Sequence, residues 1–299
     1  MYRSLKTLIV IIVCCIVAPA AHAVSQPPGH FAYITNWDAD TISFIDTDTR
    51  TVARTVTLPA GSRPRSVAVG AAGFTLYVTN EDKGTVSLIS TVTGAILATI
   101  TTGGYPKGIV VNNEESLAYV TNEATDKVDI IDLIAKTVVK SVAVGDGPYG
   151  IAMDPAGEYI YVGNRYSDTV TMLTSSGIIA GTIAVGDGPY DLRVHPSGSS
   201  IWVTNENADT ISIINRHDWT TTTIPAGDGP RGISFNRSGT YAYVANNNAD
   251  AVSVIRVATR AITATITVGN APRSGCMDRS DRYLYVTNYY GDSVTVIDR

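Results

Sequence analysis

The chain has 299 residues, 44% of them hydrophobic and 16% charged, with a formal net charge of −5 at pH 7. That hydrophobic share excludes a disordered chain, and the acidic balance gives no general basic excess for coating nucleic acid, although net charge leaves local patches open.

The first segment reads as a processing signal. Arg3 and Lys6 precede an apolar run from Leu8 to Val17, and the small-residue stretch Ala18 to Ala23 follows. This is the pattern of a secretory signal peptide cut after Ala23, which divides the chain into residues 1–23 and a single folded domain over 24–299. The run is shorter than the roughly 20 apolar residues that a membrane span needs. A soluble periplasmic or extracellular product is therefore expected, with no membrane span. Removing the leader leaves 20 basic against 27 acidic residues, a charge of about −7. Cys276 becomes the only cysteine, so packing rather than an intrachain disulfide must supply stability.

From Phe31 onward one unit repeats. Its marker is a tetrapeptide: Tyr33 to Asn36, Tyr77 to Asn80, Tyr119 to Asn122, Tyr161 to Asn164, Trp202 to Asn205, Tyr243 to Asn246 and Tyr285 to Asn288. The asparagines stand 44, 42, 42, 41, 41 and 42 residues apart. Prolines keep the same beat at Pro64, Pro106, Pro148, Pro189, Pro230 and Pro272. Two markers on one period signal an array or a propeller. Each unit holds four short β-branched runs, as in Arg231 to Phe235, Tyr241 to Ala245, Ala251 to Ile255 and Ala261 to Val268. Turns such as Asp154-Pro155-Ala156-Gly157 join the first run to the second. No helical stripe of period 3.6 is present, which excludes helical repeats of similar length.

Four antiparallel strands repeated seven times predict an all-β, seven-bladed β-propeller of four-stranded blades. The repeated aromatic should fill the wedge between blades, and the asparagine should bond the backbone of the following turn. The ends do not complete this scheme. The first unit begins at its second strand and the last stops after its third, so either Val24 to His30 supplies the missing inner strand or the ring closes with two thin blades.

The units resemble the YVTN family of β-propeller repeat proteins over essentially the whole length after the leader. The resemblance rests on Tyr-Val-Thr-Asn, on a turn aspartate (Asp40, Asp126, Asp168, Asp209, Asp250, Asp292), on strands such as Ile42 to Asp46, and on Val-Gly-x-x-Pro as in Val144 to Pro148. Gly84, Gly163 and Ala245 depart from the pattern. The resemblance implies bacterial or archaeal surface and periplasmic proteins. It implies fold more than activity, since propellers host many functions.

Each repeated proline is followed by a residue that opens the innermost strand: Arg65, Lys107, Tyr149, Tyr190, Arg231 and Arg273. Four cations and two tyrosines are expected around one mouth of the central channel, a combination suited to a phosphate, a carboxylate or single-stranded nucleic acid. The plainer expectation pairs these residues with Asp146, Asp187 and Asp228. Trp37, Tyr166, Tyr289 and Tyr290 follow the tetrapeptide asparagines and should be exposed on the same face as partner contacts.

Catalytic chemistry is poorly supplied. Beyond the leader the histidines are His30, His195 and His217, too few for copper or zinc clusters, and no Cys-x-x-Cys-His is present for haem. No cofactor is expected; a calcium ion held by the recurring aspartates is the alternative to their use as turn residues. The reading is a non-enzymatic binding or scaffold propeller engaging a protein partner or an anionic ligand. Two alternatives stand beside it: binding of single-stranded DNA or another polyanion, and a metal-assisted lactonase-like or lyase-like enzyme. Oligomeric state is not legible.

Overall fold

The computed structural model describes residues 10–12 and 30–299. It forms seven antiparallel sheets in sequence order, six of four strands and a last one of three. The leader and its cleavage point lie outside the described residues except for Val10–Ile12. The only helical element among the described residues is the 3-10 turn Glu123–Thr125. No helix among them is long and apolar enough to cross a membrane.

Blade two shows the common plan: Pro64–Val69, Thr75–Asn80, Thr85–Ser90 and Ile96–Thr101, each hydrogen-bonded to the next. Prolines open the inner strands of blades two to seven, where a missing N–H costs least because the strand is only beginning. All seven second strands are buried throughout after their first residue. Outer strands such as Thr51–Thr57 are mostly exposed.

The core follows from that gradient. Apolar side chains gather in layers between successive blades, with Tyr33, Phe44, Val67 and Leu76 between blades one and two. Ala32, Ile34, Cys276 and Tyr285 join blade seven to blade one. The tetrapeptide aromatics fill these layers as expected; Tyr119, Tyr161 and Tyr285 are fully buried and Trp202 nearly so. Two of their hydroxyls cap a turn of the neighbouring blade, Tyr119 donating to the Ser175 carbonyl at 2.6 Å and Tyr285 to the Thr47 carbonyl at 3.2 Å.

The asparagine works differently from the expectation. It ends the second strand with its side chain folded back over the sheet, and its amide donates to hydroxyls five and seven residues on, in the third strand. Asn205 reaches Thr210 at 3.0 Å and Ser212 at 2.9 Å, and Asn36, Asn80, Asn164 and Asn288 repeat the pattern. Burial decides this: the amide is fully enclosed, so it takes the partners that the neighbouring strand offers. The loop entering the asparagine's own blade passes directly over it. A Cβ on Gly227 would lie 2.4 Å from Asn246 Nδ2, which explains a glycine there.

The recurring aspartates hold turns. Asp40, Asp126, Asp168, Asp209, Asp250 and Asp292 all adopt the left-handed region, as does Gly84 in their place. Five of these carboxylates accept backbone N–H groups from the loop that follows the outer strand, as Asp168 does from Gly188 at 2.9 Å. Among the described residues no group of three or more His, Cys, Asp or Glu could hold a metal ion.

The two chain ends resolve unequally. Blade seven is thin, built from Pro272–Met277, Tyr283–Asn288 and Ser293–Asp298. Blade one is completed by Val10–Ile12, which pairs antiparallel with Phe31–Asn36 in the inner position. The strand in that place comes from within the apolar run and not from Val24 to His30, of which all but His30 lies outside the described residues.

Candidate functional site: a plugged axial channel

Six inner strands bring the residues after their prolines to one end of the axis. The residues after the tetrapeptide asparagines lie beside them, because the second strand ends where the inner strand begins, as in the pairing of Asn80 with Pro64. Arg65, Lys107, Tyr149 and Tyr190 are each only 7% exposed. Five of the six side chains therefore converge on the axis and close it, where a ring of cations and tyrosines around the channel mouth was expected. Long cationic side chains and two phenols pointing inward at this radius leave no lumen.

Their partners are glutamates, not the aspartates of the proline loops. Lys107 Nζ lies 2.7 Å from Glu81 and 2.8 Å from Glu123, and Arg65 Nε lies 4.0 Å from Glu81. Glu206 takes Arg231 at 2.6 Å and Arg165 at 2.5 Å. Asp187 and Asp228 instead accept from Asn207 and Asn248, each at 2.9 Å. Asp146 makes no ion pair among the described residues. Burial pushes Glu81 up, but Arg65 and Lys107 outweigh it and hold its carboxyl below the usual range.

At the centre stands Tyr190. Its hydroxyl receives Arg65 Nη2 at 2.9 Å and Arg273 Nε at 2.8 Å, and the Tyr149 hydroxyl lies 3.0 Å away. Burial pushes this phenol up, yet the charges of Arg273, Arg65 and Arg231 win and bring it down to about 8. The aromatic faces carry further charge: Arg231 and Arg165 lie 5.2 and 5.4 Å from the Tyr190 ring centre, and Arg65 and Lys107 lie 5.0 and 5.6 Å from that of Tyr149. Among the described residues five cations meet three carboxylates here, and Arg273 has no carboxylate partner. Its Nη1 is buried without a hydrogen-bond partner.

Below the plug a cavity of about 450 Å³ runs along the inner strands. Arg65, Lys107, Tyr149, Tyr190 and Arg273 form its charged end, and Asn113, Pro155 and Pro196 mark the turns at the other. Ala68, Ile109, Ile151, Phe235 and Met277 give it apolar walls. Arg231 turns aside to Glu206. Asp191 also borders the cavity, and burial holds its carboxyl above the usual range despite Arg193 at 3.1 Å.

The four aromatics expected on this face divide. Tyr166 and Tyr290 are exposed, at 60% and 68%. Trp37 and Tyr289 are half-buried, because Trp37 donates to Glu81 at 3.1 Å with Arg63 over its ring, and Arg273 covers Tyr289 at 4.2 Å. Glu81, Glu123, Arg165 and Glu206 were missed from the sequence, although each directly follows a tetrapeptide asparagine, the same place as Trp37 and Tyr289. At the opposite end His195 bonds Ser197 and the Gly239 carbonyl, a turn-bonded histidine.

The fold and this plugged channel define a seven-bladed β-propeller with an axial, cation-rich cavity. The chain belongs to the seven-bladed β-propeller lactonase family, whose model matches residues 17–223. No curated protein matches the sequence. Among solved structures, hydrazine synthase of Kuenenia stuttgartiensis superposes with a TM-score of 0.83 at 21% identity, covering 92% of this chain and 94% of that one. A functionally unknown protein from Desulfotomaculum acetoxidans DSM 771 superposes with a TM-score of 0.80 at 15% identity, covering 90% and 92%. At these identities the likeness is one of fold.

Proposed function

We propose that this is an exported binding propeller whose axial cavity takes a small organic anion at the Arg65, Tyr190 and Arg273 end. The carrying observation is that two guanidiniums at the end of a cavity share a phenol, one of them with no carboxylate partner among the described residues. A buried excess of positive charge is costly unless an anion compensates it, and an incoming carboxylate or phosphate supplies what the chain leaves out. The plug also argues for a small ligand over single-stranded DNA, since four of the six ring residues are closed to a polymer backbone and Glu81, Glu123 and Glu206 stand among them. Export rests on the leader pattern, and the resemblance to periplasmic and surface propellers supports it. Tyr166 and Tyr290 are the exposed candidates for contact with a protein partner.

Calorimetric titration with acetate, longer carboxylates and inorganic phosphate tests this. Binding at pH 7 that weakens at least tenfold in Arg273→Met is expected. No binding by any of these anions would remove the proposal.

Family membership favours a second reading, opening of a lactone ring to a hydroxycarboxylate, whose product carries the same anionic group. Tyr190, ionising near neutral pH, would be the base that activates water in that case. Release of acid from simple lactones, abolished in Tyr190→Phe, distinguishes hydrolysis from binding alone.

A further inference from the structure

Blades hand the chain to one another by a repeated pair of clamps. The turn aspartate accepts N–H groups from the loop entering the next blade: Asp40 from Gly61, Asp126 from Gly147, Asp209 from Gly229 and Asp250 from Ala271, all within 2.7 to 2.9 Å. The tetrapeptide threonine donates to the carbonyl of the ring residue on the next inner strand. Thr79 reaches Lys107 at 2.9 Å and Thr121 reaches Tyr149 at 2.8 Å.

Blade seven carries both devices, Thr287 and Asp292, with blade one as its neighbour. There, among the described residues, Asp292 Oδ1 is buried with no hydrogen-bond partner, and Thr287 turns back to Ser274 of its own blade. The inner edge of Phe31–Asn36 is the matching half of this place. Val10–Ile12 lies along it, with Val10 opposite Asn36 in the register that sets Pro64 opposite Asn80. It lies against Pro64–Val69 and Pro272–Met277, the strands that carry Arg65 and Arg273. Apolar Ala32, Ile34, Cys276 and Tyr285 form the layer beside it.

We propose that the inner position of blade one is a strand-acceptor slot, held by Val10–Ile12 while the leader is attached and turned by cleavage after Ala23 into a binding site for that same segment supplied in trans. Recognition is by main-chain pairing to Ile34–Asn36, and the preferred ligand is a short extended peptide of β-branched apolar residues, as in Leu8 to Val13. Emptying the slot removes the stretch of channel wall between Arg65 and Arg273. Processing would thereby open the cavity from the side, a consequence that rests on the anion site proposed above, whereas the slot itself does not.

Amide hydrogen exchange on three forms tests the slot: the full chain with its leader, the same folded chain cut after Ala23 by signal peptidase, and full-length Ile11→Pro, which removes one N–H from the pairing. Inward-facing amides of Phe31–Asn36 should exchange at least tenfold faster in the second and third forms than in the first. A synthetic peptide of residues 8–14 with lysine flanks should restore slow exchange to the cut form. Amides of Tyr159–Asn164 in blade four report whether the ring stays folded; should Ile11→Pro lose them too, the peptide arm on the cut form decides. Equal exchange in the first two forms, or a peptide without effect, would overturn the proposal.

Discussion

Raising pH through the range above 8 should stabilise this protein through one phenol. Tyr190 ionises at about 8 in the fold, against an ordinary value near 10, so between those values the folded state binds fewer protons than the unfolded one. Stability then rises with pH across that window; the contribution is absent below pH 8 and complete by about pH 10. Two units at about 1.4 kcal/mol each set an upper bound of about 3 kcal/mol, reduced in practice because Arg65 and Arg273 share the same hydroxyl. The groups facing it are Arg65, Arg231, Arg273, Arg165 and Tyr149. Above pH 10 the trend reverses, since burial pushes Tyr77, Tyr161 and Tyr285 up to about 12 and keeps them protonated in the fold. The assay is paired urea melts of wild type and Tyr190→Phe at closely spaced pH, with ultraviolet absorbance following tyrosinate directly. A difference between the two proteins that stays flat from pH 8 to 10, with no phenol titrating early, would refute the reasoning.

Four further outcomes follow from the same geometry. Anion affinity should fall by up to tenfold per pH unit above 8, since ionised Tyr190 competes for the two guanidiniums; calorimetry on either side of that pH reads it. Glu206→Gln frees Arg165 and Arg231 of their shared carboxylate and should tighten anion binding severalfold, which a titration at fixed ionic strength would show. Arg216→Met leaves the fully buried Asp154 carboxylate without its 2.6 Å partner and should cost about 3–5 kcal/mol in chemical denaturation. Gly227→Ala drives a methyl into Asn246 and should cost about 1–3 kcal/mol, visible as a lowered melting temperature.

How far the site could be foreseen differs from residue to residue. Arg65, Lys107, Tyr149, Tyr190 and Arg273 were found because each follows a proline that opens an inner strand, and all five border the cavity. Glu81, Glu123, Arg165 and Glu206 lay on an equally regular beat, but glutamates and an arginine after a buried asparagine look like ordinary surface residues until the axis brings them inward. Trp37 and Tyr289 were expected in solvent, but Glu81 and Arg63 of the next blade cover the first, and Arg273 on the inner strand of its own blade covers the second.

The order of strands, the number of blades, the wedge-filling aromatics and the end of the ring at which the cations gather are all determined by the amino-acid sequence alone, because they depend on local β propensity, turn residues and a period near 42. Only the tertiary structure decided that the ring is a plug, that glutamates share its charge, and that Arg65 meets a phenol 125 residues away. It also decided which segment completes blade one. A repeat fixes angular position around the axis, whereas contact across the axis depends on radius and side-chain length, which exist only once the circle has closed.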